Sequence, residues 1–371
     1  MRIAEATSEQ LLDWDARTVD VPGGNVYQSR AWAEQRARLG WRPRFLAFDD
    51  GYRLLSLERP WKLVGGAGAY LSRGPVAAGE PVERTAERLV AAADHLAALG
   101  VDVVASDAEI EAATGYPARI EAAGFRQIEE VQPSRHRMAL PLAAGGDEAA
   151  VIGEFATTTR QLIRGAERAG LRAVRFDARD WSSVADGFEA PEGPLAEAAA
   201  PAFDRLYDLL LAAAARRRFA LGSRSAFLDW SLTGLAAGHV VLLEARDADG
   251  DPIGAATFYR HGGRLTYSHS GDRTDVRQRH PGVVRFVLWR AIQLAIRERM
   301  TEMDLAGVDV PGRRSVPVEG DEMYGLYAFK RSFGAHWTEL TGNHERVVRP
   351  LRYALGRVTG RLPLPTSRTG R

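Results

Sequence analysis

Apolar positions recur along the chain at two spacings, alternation for strands and a period near 3.6 for helices, and together they outline a repeated order of elements. After a short helix near residues 7 to 15, segment 27 to 38 (YQSRAWAEQRAR) has helical spacing. RFLAFDD and YRLLSLE read as strands on either side of an Asp50-Gly51 turn, which predicts a hairpin. Residues 82 to 99 (VERTAERLVAAADHLAAL) predict a helix, leading through Gly100 into VDVVAS, a short strand that ends at Asp107, and a second helix follows. The second half repeats this order. VVLLEARDADGDPIGAATFYR and RLTYSHSG predict a hairpin, 283 to 299 a helix, and EMDLAG a short strand ending beside an acid.

Antiparallel strands followed by helix, strand, helix and a last strand is the order of the GNAT acyltransferase fold. The expected class is therefore α/β in the α+β sense: tandem GNAT-like domains, with mixed, mostly antiparallel sheets flanked by helices. The Gly-rich AAGGDE puts the boundary near residue 145. Residues 1–145 are then the first domain, 146–350 the second and 351–371 a basic tail. The arginine-dense stretch 160 to 175 opens the second half as a basic helix, and 178 to 200, rich in Ala, Glu, Gly and Pro, reads as a loop or short linker.

Composition narrows the chemistry. At 371 residues, 45% hydrophobic and 26% charged, the chain suits a soluble protein with two cores. No run approaches the roughly 18 to 20 apolar residues that span a bilayer, and the start lacks the layout of a secretory signal, so a cytoplasmic location is expected. The lack of cysteine excludes disulfides, thiolate catalysis and the usual structural zinc sites. No metal site is read from the remaining residues, and the chemistry falls to O and N groups. A net charge of +1 hides an asymmetry: from Arg346 onward there are seven arginines and no acidic side chain. That end is either a phosphate-facing surface or a solvated tail. Of 49 basic residues, 47 are arginine, leaving only Lys62 and Lys330. A lysine retained against such a bias marks a place where a compact ammonium is needed, because the planar, forked guanidinium cannot replace it.

An acetyl-CoA-dependent GNAT enzyme holds pyrophosphate on a Gly-rich turn at the N-terminus of the helix after its central hairpin. The corresponding stretch, DVRQRHPGVVRF (275–286), carries Arg277, Arg279 and Gly282 but no further glycines, and Pro281 removes a donor. This speaks against acetyl-CoA. The first half, with ERTAERL at its helix start, has no such loop.

YQSRAWAEQRARLGWRP, YLSRGPV, GFRQIEEVQPSRHRMALPL, TTTRQLIRGAERAGL, MDLAGVD and GLYAFKRSFG, in that order, resemble the FemABX peptidoglycan-bridge aminoacyltransferases from about residue 27 to 350. The resemblance implies tandem GNAT-like domains of the compact type, since 178 to 219 is too short for the helical arm of some members. It implies transfer of an amino acid from aminoacyl-tRNA, as co-substrate and with no cofactor, to an amine on the stem peptide of a nucleotide- or lipid-linked precursor. Such an ester is already activated, so the protein must hold amine and carbonyl in attack geometry, remove a proton and stabilise the oxyanion.

By the same resemblance, Lys330 meets the tRNA terminus or the developing oxyanion, and Asp304 is a base or orienting group. Phe329 is placed to stack on the terminal adenine; otherwise it is a core residue. Phe333 reads as core. Arg277 and Arg279 fall to the tRNA side. On the acceptor side stand Arg36, four residues after Trp32, Asp107 (otherwise a helix cap), Tyr267 on the hairpin and, more weakly, Arg224 in GSRSAF. His269 departs from the family, whose members often carry an aromatic there. The basic tail leans toward an anionic membrane surface, with no amphipathic anchor legible beside it. Two alternatives stay open: the same chemistry on a small-molecule acceptor in natural-product biosynthesis, and a CoA-dependent or non-catalytic tandem GNAT protein.

Overall fold

The computed structural model describes residues 1–61, 65–131, 135–143, 146–179, 186–217, 220–308, 310 and 314–359. Lys62, Gln132 and Pro133 of the VQP segment, Asp309 of MDLAGVD and the arginine-containing stretch beyond residue 359 lie outside the described residues.

The chain begins with β1 (Ile3–Glu5), α1 (Ser8–Leu12) and α2 (Trp14–Thr18). Where the sequence predicted one helix over 7 to 15, Asp13 separates two. Thr7 starts α1 with a capping box: the Gln10 N–H donates to its hydroxyl, and its own N–H donates to Gln10 Oε1. After α3 (Arg30–Arg38), β2 (Arg42–Phe48) and β3 (Arg53–Pro60) form the predicted hairpin, with Leu46 opposite Leu54. Next come β4 (Ala67–Leu71), α4 (Val82–Ala98), β5 (Val101–Ser106), α5 (Tyr116–Ala122), β6 (Arg126–Gln127) and β7 (His136–Pro141).

The second half contributes α6 (Glu148–Gly153), α7 (Thr157–Arg168), β8 (Arg172–Phe176), α8 (Leu195–Arg217), α9 (Arg224–Ala236), β9 (Val240–Arg246), β10 (Pro252–His261) and β11 (Arg264–Asp272). It closes with α10 (Val283–Arg297), β12 (Glu302–Asp304), α11 (Tyr324–Arg331), β13 (His336–Glu339), β14 (His344–Val347) and α12 (Pro350–Thr359). The basic helix expected over 160 to 175 thus ends at Arg168, and Arg172–Phe176 is a strand whose Ala173, Val174 and Phe176 are core residues. The linker expected to reach residue 200 gives way at Leu195 to α8.

Two sheets result, with strand orders β1-β2-β3-β4-β5-β14-β6 and β13-β7-β12-β11-β10-β9-β8. Counted from its own first strand, each follows one plan: four antiparallel neighbours, a fifth strand parallel to the fourth, a sixth at the far edge, and an inserted strand between fifth and sixth. The inserted strands are exchanged. β14, from the end of the described chain, lies between β5 and β6, and β7, from the first half, lies between β12 and β13. The compact units follow this connectivity: Met1–Arg137, Asp309–Val316 and Thr338–Arg368 form one, Met138–Val308 and Pro317–Trp337 most of the other. A single cut near 145 does not separate them. Residues 338 to 350, placed by the sequence in the second domain, and α12, placed in the tail, fold with the first unit.

Within unit 1, α4 turns Ala86, Leu89, Ala93 and Leu96, at helical spacing, onto Leu46, Leu54, Leu71 and Val104 of the sheet. In unit 2, α10 is apolar around most of its circumference and buried along its length, from Val283 to Ile296.

Candidate active site

In unit 2 the parallel pair of strands is brief. Arg264, Leu265 and Thr266 of β11 face Glu302, Met303 and Asp304 of β12, after which β12 ends while β11 continues to Asp272. The sheet therefore opens beyond Thr266 and Asp304, and Tyr267 to Ser270 extend past the last β12 pair. Asp304, buried, accepts from the Ala306 N–H at 2.7 Å and from the Thr266 hydroxyl at 3.4 Å, which ties the two strands at the point of divergence.

Lys330, on α11, is 3% exposed. Its Nζ donates to the carbonyls of Ala306 at 3.1 Å and Gly307 at 2.6 Å, on the backbone leaving β12. Ala306 takes a left-handed conformation there, with φ of 59°. The ammonium is thus spent in part on holding this turn. Beside it Phe329 is half-buried, with the Arg285 guanidinium 4.9 Å above its ring and Phe333, fully buried, at 5.5 Å. Burial lowers the pKa of Arg285, whose Nε lies 3.4 Å from the Thr159 hydroxyl of α7. Sequence reasoning passed over both Arg285 and Thr159; the signal was the TTTRQL motif, which places Thr159 on the buried side of α7.

Within the loop from 273 to 282, the Arg277 guanidinium is engaged by Asp272, with Nε at 2.7 Å, while Arg279 is exposed. Gly282 is there for packing: a Cβ on it meets the Leu162 carbonyl oxygen of α7 at 2.5 Å. Tyr267 hydrogen-bonds Ser270 through its hydroxyl and packs on Phe258 at 6.0 Å. His269 hydrogen-bonds Ser268 at 2.7 Å and meets Phe227 edge-on at 5.5 Å; burial pushes its pKa down to about 4. Arg224, at the start of α9, is held by Asp204 and Asp208 of α8 and lies 4.6 Å over Tyr207.

Unit 1 holds the other expected residues. Arg36 is half-buried and stacks on Trp32 at 3.7 Å. Asp107, fully buried, is not a helix cap. It accepts from the Tyr70 hydroxyl and from the Arg73 N–H, each at 2.6 Å, and Arg73 Nη1 lies 3.3 Å from it. Burial raises the Asp107 pKa against the opposing pull of the Arg73 guanidinium. Arg73, in the SRGPV segment, is itself buried and was missed as Asp107's partner.

Residues 154–331 match the family described as acetyltransferase (GNAT) domain. The fold of the chain matches the crystal structure of FemX with a TM-score of 0.74 at 17% identity, over 96% of this chain and 99% of FemX. The chain has the FemABX-like tandem GNAT fold. L-PGS from Bacillus licheniformis shares it at a TM-score of 0.53 and 14% identity, over 96% of this chain and 98% of that one. A conserved protein of unknown function from Bacteroides thetaiotaomicron does so at 0.53 and 11%, over 94% and 99%. No curated protein matches the sequence. The match of residues 154–331 to a GNAT domain supports an acyltransferase. Among the described residues, no helix is long and apolar enough to cross a membrane.

Proposed function

We propose that the protein transfers an amino acid from aminoacyl-tRNA to an amine on the stem peptide of a peptidoglycan precursor. The observation that carries this reading is the opening between β11 and β12 beyond Thr266 and Asp304, in a chain that matches the FemX fold over 96% of its length. In that opening the amine nitrogen attacks the ester carbonyl. The C–N bond forms, the C–O bond to the tRNA 3' oxygen breaks, and one proton of the neutral amine passes to the leaving oxygen.

Asp304 acts as orienting group through Thr266, and Lys330 fixes the Ala306–Gly307 carbonyls so that the wall of the opening keeps its shape. A cation beside that wall also favours the oxyanion. Arg279, Arg277 and Phe329 take the tRNA side; Arg36, Tyr267, Arg224 and Asp107 take the acceptor side, Asp107 by positioning Arg73. The start of α10 supports an anionic donor, since its first turn carries no acid. The use of Gly282 for packing on Leu162 weakens the case for a CoA pyrophosphate there.

The test offers purified protein a mixed pool of charged tRNAs with precursor, and acetyl-CoA in a parallel reaction, and identifies the added group by mass. An aminoacyl increment is expected. An acetyl increment from acetyl-CoA, with none from charged tRNA, overturns the reading.

A further inference from the structure

We propose that α12 is a docking surface for an anionic lipid bilayer. Leu351 is 83% exposed, the most exposed of the large apolar side chains among the described residues, and Leu355, one turn on, is 53% exposed. Ala354 is exposed between them, so positions 351, 354 and 355 form one apolar stripe at helical spacing. Scattered surface leucines are ordinary, but this pair is held outward by its own helix. Tyr353, buried, donates its hydroxyl to Glu345 at 2.9 Å. Arg349 donates to the carbonyls of Val101 and Ala97, each at 3.0 Å, and Arg352 pairs with the fully buried Asp102 at 3.1 Å. Gly356 lies so close to Trp61 that a Cβ would sit 2.7 Å from the indole. With that face fixed to unit 1, α12 cannot roll its leucines inward.

Charge identifies the occupant. From Arg357 onward the sequence has four arginines and no acidic side chain, so every charged side chain that follows the apolar stripe is cationic. Apolar residues flanked by arginines match the interface of a bilayer with anionic headgroups, where leucines enter the acyl boundary and cations meet phosphates. A nucleic acid draws on the arginines but gains nothing from exposed leucines, and a second copy of this chain would bring the same positive charge. This inference stands apart from the acyl-transfer reading, because it is tested without substrate.

The full chain is mixed with vesicles of phosphatidylglycerol and phosphatidylcholine, or of phosphatidylcholine alone, and floated. Binding to the anionic vesicles only, weakened by high salt, is expected. Leu351→Ser with Leu355→Ser should lower that binding about tenfold or more, with the melting temperature unchanged because both side chains already face solvent. No binding by the wild-type chain overturns the proposal. So does binding that ignores the double substitution, which leaves only the charged segment at work. Sedimentation supplies a further check: a dimer that the double substitution dissociates assigns the stripe to a second copy and overturns the lipid assignment, as does tRNA binding that the same substitution abolishes.

Discussion

The two parallel strand pairs, one per unit, are topological equivalents with opposite interiors. In unit 1, β4 and β5 stay paired to their ends, Leu71 against Ser106, and just beyond them buried Asp107 accepts from the Arg73 N–H and from the hydroxyl of Tyr70 in β4. In unit 2, β12 stops after three residues and β11 runs on. The helices that follow the fourth strands differ in the same sense. Glu83 stands in the first turn of α4, where it repels an anion, while α10 begins without an acid. One pattern, used twice, has been closed with a charged core in one copy and left open in the other. Chemistry is therefore expected in unit 2, with unit 1 holding acceptor groups in place through its charged core.

The sharpest way to break this comparison is Asp107→Ala. If the cluster is a core, removing the carboxylate takes from the buried Arg73 its foremost counter-charge and costs about 3 kcal/mol in denaturant unfolding. A stable Asp107→Ala protein that loses only acceptor affinity would show that the cluster serves binding alone and is not a core. Lys330→Met tests the other side: transfer should fall roughly 10²-fold. Because the ammonium is buried on two carbonyls, stability should also drop by about 1.5–3 kcal/mol, measured by thermal melt. Lys330→Arg should restore neither, the planar fork being unable to reach both carbonyls from the same place. Full activity with an unchanged melt in Lys330→Met excludes the proposed centre.

Arg36→Ala sharpens the assignment of unit 1. It should raise the apparent KM for precursor by about ten- to a hundredfold with kcat nearly constant. A collapse of tRNA affinity at normal KM reverses the two sides. The smallest expected effect is one of pH. His269 in the folded chain titrates near 4, below the usual histidine value of 6.5. The unfolded chain therefore binds the extra proton first, and stability contributed by neutral His269 is lost as pH falls from about 6.5 to 4. His269→Phe should flatten the melting temperature across that window relative to the wild type; an identical pH profile refutes the assignment.

Local patterns were legible where pairing is local. The β2–β3 hairpin, α4, β5 and the β9–β10–β11 meander fall where alternation and turn residues put them. The inserted strands were not, because β7 and β14 find their neighbours far along the chain, and no local signal records which sheet receives them. Lys330 drew attention through its rarity, but its burial could not be read from an amphipathic eight-residue helix. Asp107 stood out as a strand-end acid, yet the buried arginine that makes it structural lies 34 positions earlier, in a segment quoted only as a motif.

The exchange of β7 and β14 bears on the order of events during synthesis. A ribosome that has released the first 145 residues has not supplied what the first sheet requires: β5 and β6 must wait, their facing edges unfilled, until residues 344 to 347 emerge. The second sheet has the opposite history, its inserted strand being already present when β12 appears. The half that is made first is thus completed last, and a nascent chain stalled anywhere before β14 carries an exposed strand edge of the kind that chaperones cover.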